Sequence, residues 1–119
     1  MGLKSYKPYT KSTRTTVLVD RKNIWKGSPY KPLTRGKHSS GGRNNLGRIT
    51  SRARGAGHKK RYRIIDFHRN KIDMTGTVER IEYDPNRSSF IALITYEDKT
   101  KTYIICPQNL KIGDKICLL

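Results

Sequence analysis

Acidic residues are almost absent from the first half of this 119-residue chain: one, Asp20, stands among its first 63 positions. The same stretch holds 18 lysines and arginines, a net charge of +17, whereas Ile64 to Leu119 carries eight basic and eight acidic residues and is neutral. A compact chain with so lopsided a charge repels itself, which excludes a self-sufficient globular first half and calls for a polyanionic partner. An anionic membrane would require a basic amphipathic helix with a continuous apolar face. Pro8, Pro29, Pro32 and seven glycines between Gly27 and Gly57 break any such helix. Nucleic acid remains as the partner, and no membrane is expected.

Other scarcities narrow the function further. Long hydrophobic runs are missing, so no segment reaches the ~20 apolar residues of a membrane span. The only two cysteines, Cys106 and Cys117, form no C-x-x-C pair and have no neighbouring histidine, which fits neither a zinc site nor a disulfide scaffold. They read as small apolar strand residues. His38, His58 and His68 lack metal-ligand spacing and stand beside no cysteine or serine nucleophile. Gly42-x4-Gly47-Arg48-Ile49 lacks the lysine and hydroxyl of a phosphate-binding P-loop and follows no strand. Glu79 and Glu82 should face opposite sides of a strand and make a poor catalytic pair. Together with Asp84 they read as salt partners for Arg80 or Arg87. No metal, cofactor, small-molecule substrate or catalytic residue is expected. Residues 1–19 are free of acid and carry Lys4, Lys7, Lys11 and Arg14, a weak likeness to a transit peptide that Pro8 and the lack of helical periodicity oppose. Tyr6 stands where an N-myristoylation signal needs Ser or Thr.

What is there divides the chain in two. Residues 61–119 read as β-structure: Arg61–His68, Thr77–Tyr83, Ser89–Tyr96, Lys101–Cys106 and Lys115–Leu118 are rich in β-branched and aromatic residues. Asp84-Pro85-Asn86-Arg87 and Glu97-Asp98-Lys99 supply the turns between them. Ser89–Tyr96 is apolar on both faces, as a central strand should be. Five short strands without a convincing helix of about ten residues predict an all-β fold, a small five-stranded OB-type barrel. About 58 residues is near the lower limit for an independent core. Residues 1–60 read as a long, basic, extended N-terminal arm with little regular structure. Its apolar clusters, Val17-Leu18-Val19 and Ile24-Trp25, suggest one short strand and an anchoring loop. Gly36 to Lys60 offers only Leu46 and Ile49 as large aliphatics, too little to offset chain ordering without a partner.

The candidate binding residues lie in Arg35–Arg63. Arg35, Lys37, Arg43, Arg48, Arg52, Arg54, Lys59, Lys60, Arg61 and Arg63 recur every few positions among Gly, Ser and Asn. An arginine fork can grip a phosphate at two points or stack on a base. Glycine lets the backbone approach the sugar-phosphate surface. Asn44 and Asn45 can read base edges or 2′-hydroxyls, and His58 can donate or stack. Arg69, Lys71 and Arg87 are expected to face neighbouring RNA from the barrel. Two rivals fare worse. A free single-stranded-RNA module needs exposed strand aromatics, and those here look like core. An RNA-processing enzyme needs a carboxylate, histidine or metal constellation.

Ser40-Gly41-Gly42-Arg43-Asn44-Asn45-Leu46-Gly47-Arg48-Ile49-Thr50, Gly57-His58-Lys59-Lys60 and Tyr62-Arg63-Ile64-Ile65-Asp66-Phe67 resemble the bacterial-type family of ribosomal large-subunit protein two. Lys26-Gly27, the run from Val78 to Ser88, Ile91-Ala92-Leu93 and Lys111-Ile112-Gly113-Asp114 continue the likeness over nearly the whole chain. Ala56 departs from it, standing where the family has a third glycine. The resemblance implies a ribosomal protein that binds large-subunit rRNA beside neighbouring ribosomal proteins, through an anchoring arm and a first, OB-type barrel. Family members continue into an SH3-like barrel and a basic tail reaching towards the peptidyl-transferase region. Those residues are not in this chain, so that role is not carried over. A separate chain is expected to supply the C-terminal half. A split gene and a composition rich in Ile, Lys, Asn and Tyr favour the mitochondrial matrix, with a plastid or the bacterial cytoplasm as alternatives.

Overall fold

The computed structural model of the chain describes residues 2–118. Its largest sheet has four antiparallel strands, β5 (Gly76–Glu82), β6 (Ile91–Tyr96), β7 (Lys101–Ile105) and β8 (Lys115–Ile116), in the order β7-β6-β5-β8. The sheet curls into a half-barrel of OB type. A shift of register between Val78 and Arg80 bends β5 where its partner changes, because an extra residue on one strand raises the local twist. At its start β5 pairs with β8; at its end Trp25 lies alongside it, with the Trp25 N–H donating to Ile81 O (2.8 Å). The expected fifth strand is shorter than Arg61–His68: β4 spans Lys60–Arg63, and beyond it only Ile65 bridges to Tyr103 of β7.

Alternation along β6 explains why it is apolar throughout. Ala92, Ile94 and Tyr96 join Val78 and Ile104 in one core, packed against Met74, Leu110 and Ile116. Ile91 and Leu93 point the other way and join Ile65 and Tyr103 in a second core, closed by Tyr30 and Leu33. The barrel sheet is thus covered on one face by its own curl and on the other by a segment of the basic half. The β5–β6 connection is the expected turn. The fully buried Asp84 carboxylate accepts from Asn86 N–H (2.9 Å), Asn86 Nδ2 (2.9 Å) and Arg87 Nε (2.6 Å).

The basic half contains short elements: β1 (Leu3–Ser5) paired with β2 (Val17–Val19), a one-turn helix (Lys11–Thr15) capped by Thr10, a 3-10 turn (Lys31–Leu33), and β3 (Thr34–Lys37) paired with β4. Val17–Val19 is the short strand and Trp25 the anchor that the sequence suggests. No residue from 2 to 64 is buried. The radius of gyration, 18.4 Å, exceeds the roughly 13.5 Å of a compact chain of this length, because this half projects from the barrel.

Candidate nucleic-acid interface

β3 and β4 form a long antiparallel hairpin whose register sets Arg35 against Tyr62, Gly36 against Arg61 and Lys37 against Lys60. One face of this ribbon therefore carries Arg35, Lys37, Lys60 and Tyr62. Like charges directly opposite one another destabilise a two-stranded ribbon, and Lys37 and Lys60 have no carboxylate nearby to separate them. Tyr62 is ringed by Arg35 (4.8 Å from the ring centre), Arg87 (5.9 Å) and Lys37 (6.0 Å). The groove at the hairpin, about 1150 Å³, is lined by Lys31, Arg35, Lys37, Lys59, Lys60 and Arg61 with both His38 and His58, and no acid reaches it.

Between the two strands, residues 38–59 fold into a self-bonded loop. Arg43 bridges to Ile49. Asn44 Oδ1 accepts from the N–H groups of Leu46 and Arg48 (3.0 Å each), and the Asn44 N–H donates to Arg48 O (2.9 Å). The Asn44 oxygen is thus engaged in shaping the turn, leaving its amide nitrogen for a ligand. Gly42 is the fixed point. Its carbonyl accepts from Thr50 and Ser51 N–H, its φ is +82°, and a Cβ there would meet Ser51 O at 2.4 Å. Ala56 is not among the positive-φ residues, so its methyl sits where glycine is not required. Arg43, Asn45, Arg48, Arg52 and Arg54 are exposed on this loop, as are Leu46 and Ile49.

The hairpin is fastened to the barrel at its base. Asn86 Nδ2, held by Asp84, also donates to Arg61 O (2.7 Å), and Arg63 Nη1 donates to the same carbonyl (2.7 Å). Further along, the buried Tyr103 hydroxyl donates to Glu82 Oε2 (2.7 Å) and accepts from Tyr30 N–H (2.8 Å). Burial and the Glu82 bond push the Tyr103 phenol up to about 12. Glu82 also accepts from Arg80 Nε (3.0 Å), whose guanidinium stacks over Trp25 (4.5 Å).

The ion pairs mark the division of labour. Among the described residues there are four: Lys71 with Asp98, Arg80 with Glu82, Arg87 with Asp84 and Lys101 with Glu79. All lie in the neutral half. Glu82 and Asp84 thus pair with Arg80 and Arg87 as expected, whereas Glu79 takes Lys101. Hydrogen bonds from Lys71 and Thr100 hold the Asp98 carboxyl down at about 2. Among the described residues none of the cations from Lys4 to Arg63 has such a partner. Of the residues singled out from sequence, Arg35, Lys37, His58, Lys59, Lys60 and Arg61 meet in the groove. Arg43, Asn44, Asn45, Arg48, Arg52 and Arg54 share the loop. Arg63 is half-buried at the hairpin base, and Arg69 is half-buried with its N–H on Asp66 Oδ1 (2.9 Å). Lys71 and Arg87 already face carboxylates. Sequence reasoning passed over Lys31 and Tyr62. The position of Tyr62 between Arg61 and Arg63 was the available signal.

Residues 30–118 match the family model described as Ribosomal Proteins L2, RNA binding N-terminal domain. The chain is 63% identical over 116 residues to the large ribosomal subunit protein uL2 of Ruegeria pomeroyi, covering 98% of this chain and 41% of that protein. It is 61% identical over 116 residues to uL2 of Rickettsia canadensis and 60% over 117 residues to uL2 of Pelagibacter ubique, each covering 98% of this chain and 42% of the relative. The chain spans about two fifths of the length of these relatives.

Proposed function

Since the chain belongs to the family of ribosomal proteins L2 through its RNA-binding N-terminal domain, we propose that it is a structural constituent of the large ribosomal subunit that anchors on large-subunit rRNA and supports assembly and translation. One observation carries this reading: among the described residues every ion pair lies in the barrel half, while the hairpin keeps its cations unpaired around a groove without an acid. Phosphate is the anion that such a surface lacks. Residues 1–60 act as the rRNA-binding arm and 61–119 as the barrel that fixes where the arm leaves it. Arg35, Lys37, Lys59, Lys60 and Arg61 grip phosphates along the groove. Arg43, Arg48, Arg52 and Arg54 extend the grip along the loop, and Asn44, Asn45 and His58 add register. Arg63, Arg69, Lys71 and Arg87 contact RNA near the barrel, the last two by sharing their charge with a carboxylate. Nothing in this role calls for turnover, so the chain is not an enzyme.

Neighbouring ribosomal proteins complete the setting. The compartment is the mitochondrial matrix, a reading supported by the Ile-, Lys-, Asn- and Tyr-rich composition. Fractionation tests the compartment: recovery of the protein with ribosomes outside mitochondria would overturn it. The central test is salt dependence of binding to large-subunit rRNA. If half of the 18 basic residues between Met1 and Arg63 contact phosphate, log affinity falls against log salt with a slope of roughly −6 to −8. A slope near −2 would contradict the reading.

A further inference from the structure

A second groove, sharing no residue with the first, runs between the β1–β2 ribbon and the β5–β6 corner. Its features are of a different kind. Lys4, Arg21, Lys22, Lys26 and Arg87 line it with a single acid, Asp20; Arg87 is held by Asp84, and among the described residues none of the other four cations is in an ion pair. Asp20 Oδ1 is occupied in accepting from the Lys22 N–H (3.1 Å). Two aromatic rings each meet a cation: the Arg21 guanidinium lies 3.6 Å from the centre of the half-exposed Tyr83 ring, and Lys4 Nζ lies 5.3 Å from that of Tyr6. Ser88 and Ser89 add hydroxyls to the wall.

At 3.6 Å the Arg21 guanidinium is stacked on Tyr83. Its plane is therefore fixed and its outer face is a platform of base size. A nucleobase can stack there only if no base pair or neighbouring base covers its own face. The unpaired lysines around the platform then meet the phosphates on either side. A protein segment would have to be acidic to match the rim and would leave the stacked guanidinium without a planar partner. We propose that this groove holds an unpaired stretch of RNA, with a base stacked on the Arg21–Tyr83 platform, as a contact separate from the hairpin. This inference rests on the proposed function and deepens it, giving the form of RNA and the contact made by Arg21 and Tyr83, which that reading does not name.

The test uses the full chain on large-subunit rRNA, with affinity measured beside base-by-base chemical probing. Arg21→Lys keeps the charge and loses the plane, and Tyr83→Leu removes the platform beneath it. Each should weaken binding roughly five- to hundredfold and expose a set of unpaired nucleotides that Lys37→Ala and Lys60→Ala leave protected. Circular dichroism of the free variants should match the parent. If the parent binds rRNA but no protected nucleotide responds to Arg21→Lys or Tyr83→Leu, the groove proposal is overturned and the hairpin reading stands. Cross-links from the groove to an acidic protein segment in whole subunits would overturn it too. If the parent fails to bind rRNA at all, the proposed function falls with it.

Discussion

The replacement Tyr103→Phe isolates one of the bonds by which the barrel holds the basic half. Tyr103 has no exposed surface and packs with Ile65, Ile91 and Leu93. Phenylalanine keeps the ring and opens no cavity, so only the hydroxyl is lost. Two bonds are then lost: Glu82 Oε2 keeps only the Arg80 donor, and the Tyr30 N–H is left without its acceptor. Leaving buried polar groups unsatisfied costs about 1–3 kcal/mol. The rise of the phenol from 10.0 to about 12, caused first by burial and then by the Glu82 bond, bounds at roughly 3 kcal/mol the preference of this site for the neutral form. The phenol is neutral when protonated, and folding raises its pKa. Its contribution is therefore complete below pH 10 and is lost as pH climbs from 10 towards 12. Urea unfolding of parent and variant should show a gap of about 1–3 kcal/mol at pH 8 that closes by pH 12. A gap that is absent at pH 8, or that persists unchanged to pH 12, would refute the assignment of this hydroxyl as the clamp.

Three further outcomes follow from the same geometry. Asp84→Ala removes the acceptor of three bonds and strands Arg87, so denaturant melts should show about 3–5 kcal/mol lost; a change under 1 kcal/mol would mean that water replaces the carboxylate. Gly42→Ala places a methyl against Ser51 O at φ +82°, which should cost about 1–3 kcal/mol of backbone strain. Because no residue of that loop is buried, the cost should appear in RNA affinity, and the melting temperature of the free protein should hold. Saturation with rRNA at 100 times its Kd adds about 2.7 kcal/mol to whatever unfolds with the arm. Amide exchange in β6, whose outer core is closed by Tyr30 and Leu33, should slow with that of β3 and β4; protection confined to the hairpin would separate the two.

The barrel half was legible because its strands carry the alternation that burial demands. The expected strands over Thr77–Tyr83, Ser89–Tyr96 and Lys101–Cys106 fall within two residues of β5, β6 and β7 at either end. Asp84-Pro85-Asn86-Arg87 announces its turn because Asp84, Asn86 and Arg87 have local bonds to make and Pro85 presets φ. β3 was not legible. Thr-Arg-Gly-Lys has no β-propensity to speak of, and it is a strand because β4 pairs with it across a 22-residue loop. The same pairing draws Lys60–Arg63 away from the barrel, so the strand expected at Arg61–His68 is cut short. The bond from Tyr30 to Tyr103 spans 73 residues of sequence and leaves no trace in either local pattern. Charge, by contrast, carried through directly. Eighteen cations against one acid can form almost no internal ion pairs, and all four pairs lie elsewhere.

That asymmetry explains why the two halves are joined as they are. A small sheet with apolar side chains on both faces needs two covers, and about 58 residues can fold only one of them from its own curl. The second cover, Tyr30 and Leu33, comes from the segment that leads directly into β3. The barrel's closure and the direction in which the basic hairpin leaves it are therefore set by the same few residues. Asn86 adds a second fastening five residues before the outer core resumes at Ile91, tying Arg61 of the hairpin to the buried Asp84. Between these two points the hairpin has fixed roots, while its loop beyond Lys37 has no buried residue and is held by its own hydrogen bonds. On the proposed reading the barrel contributes orientation and the loop contributes charge. An arm attached by one flexible residue would bring the same cations to the same RNA with no preferred direction.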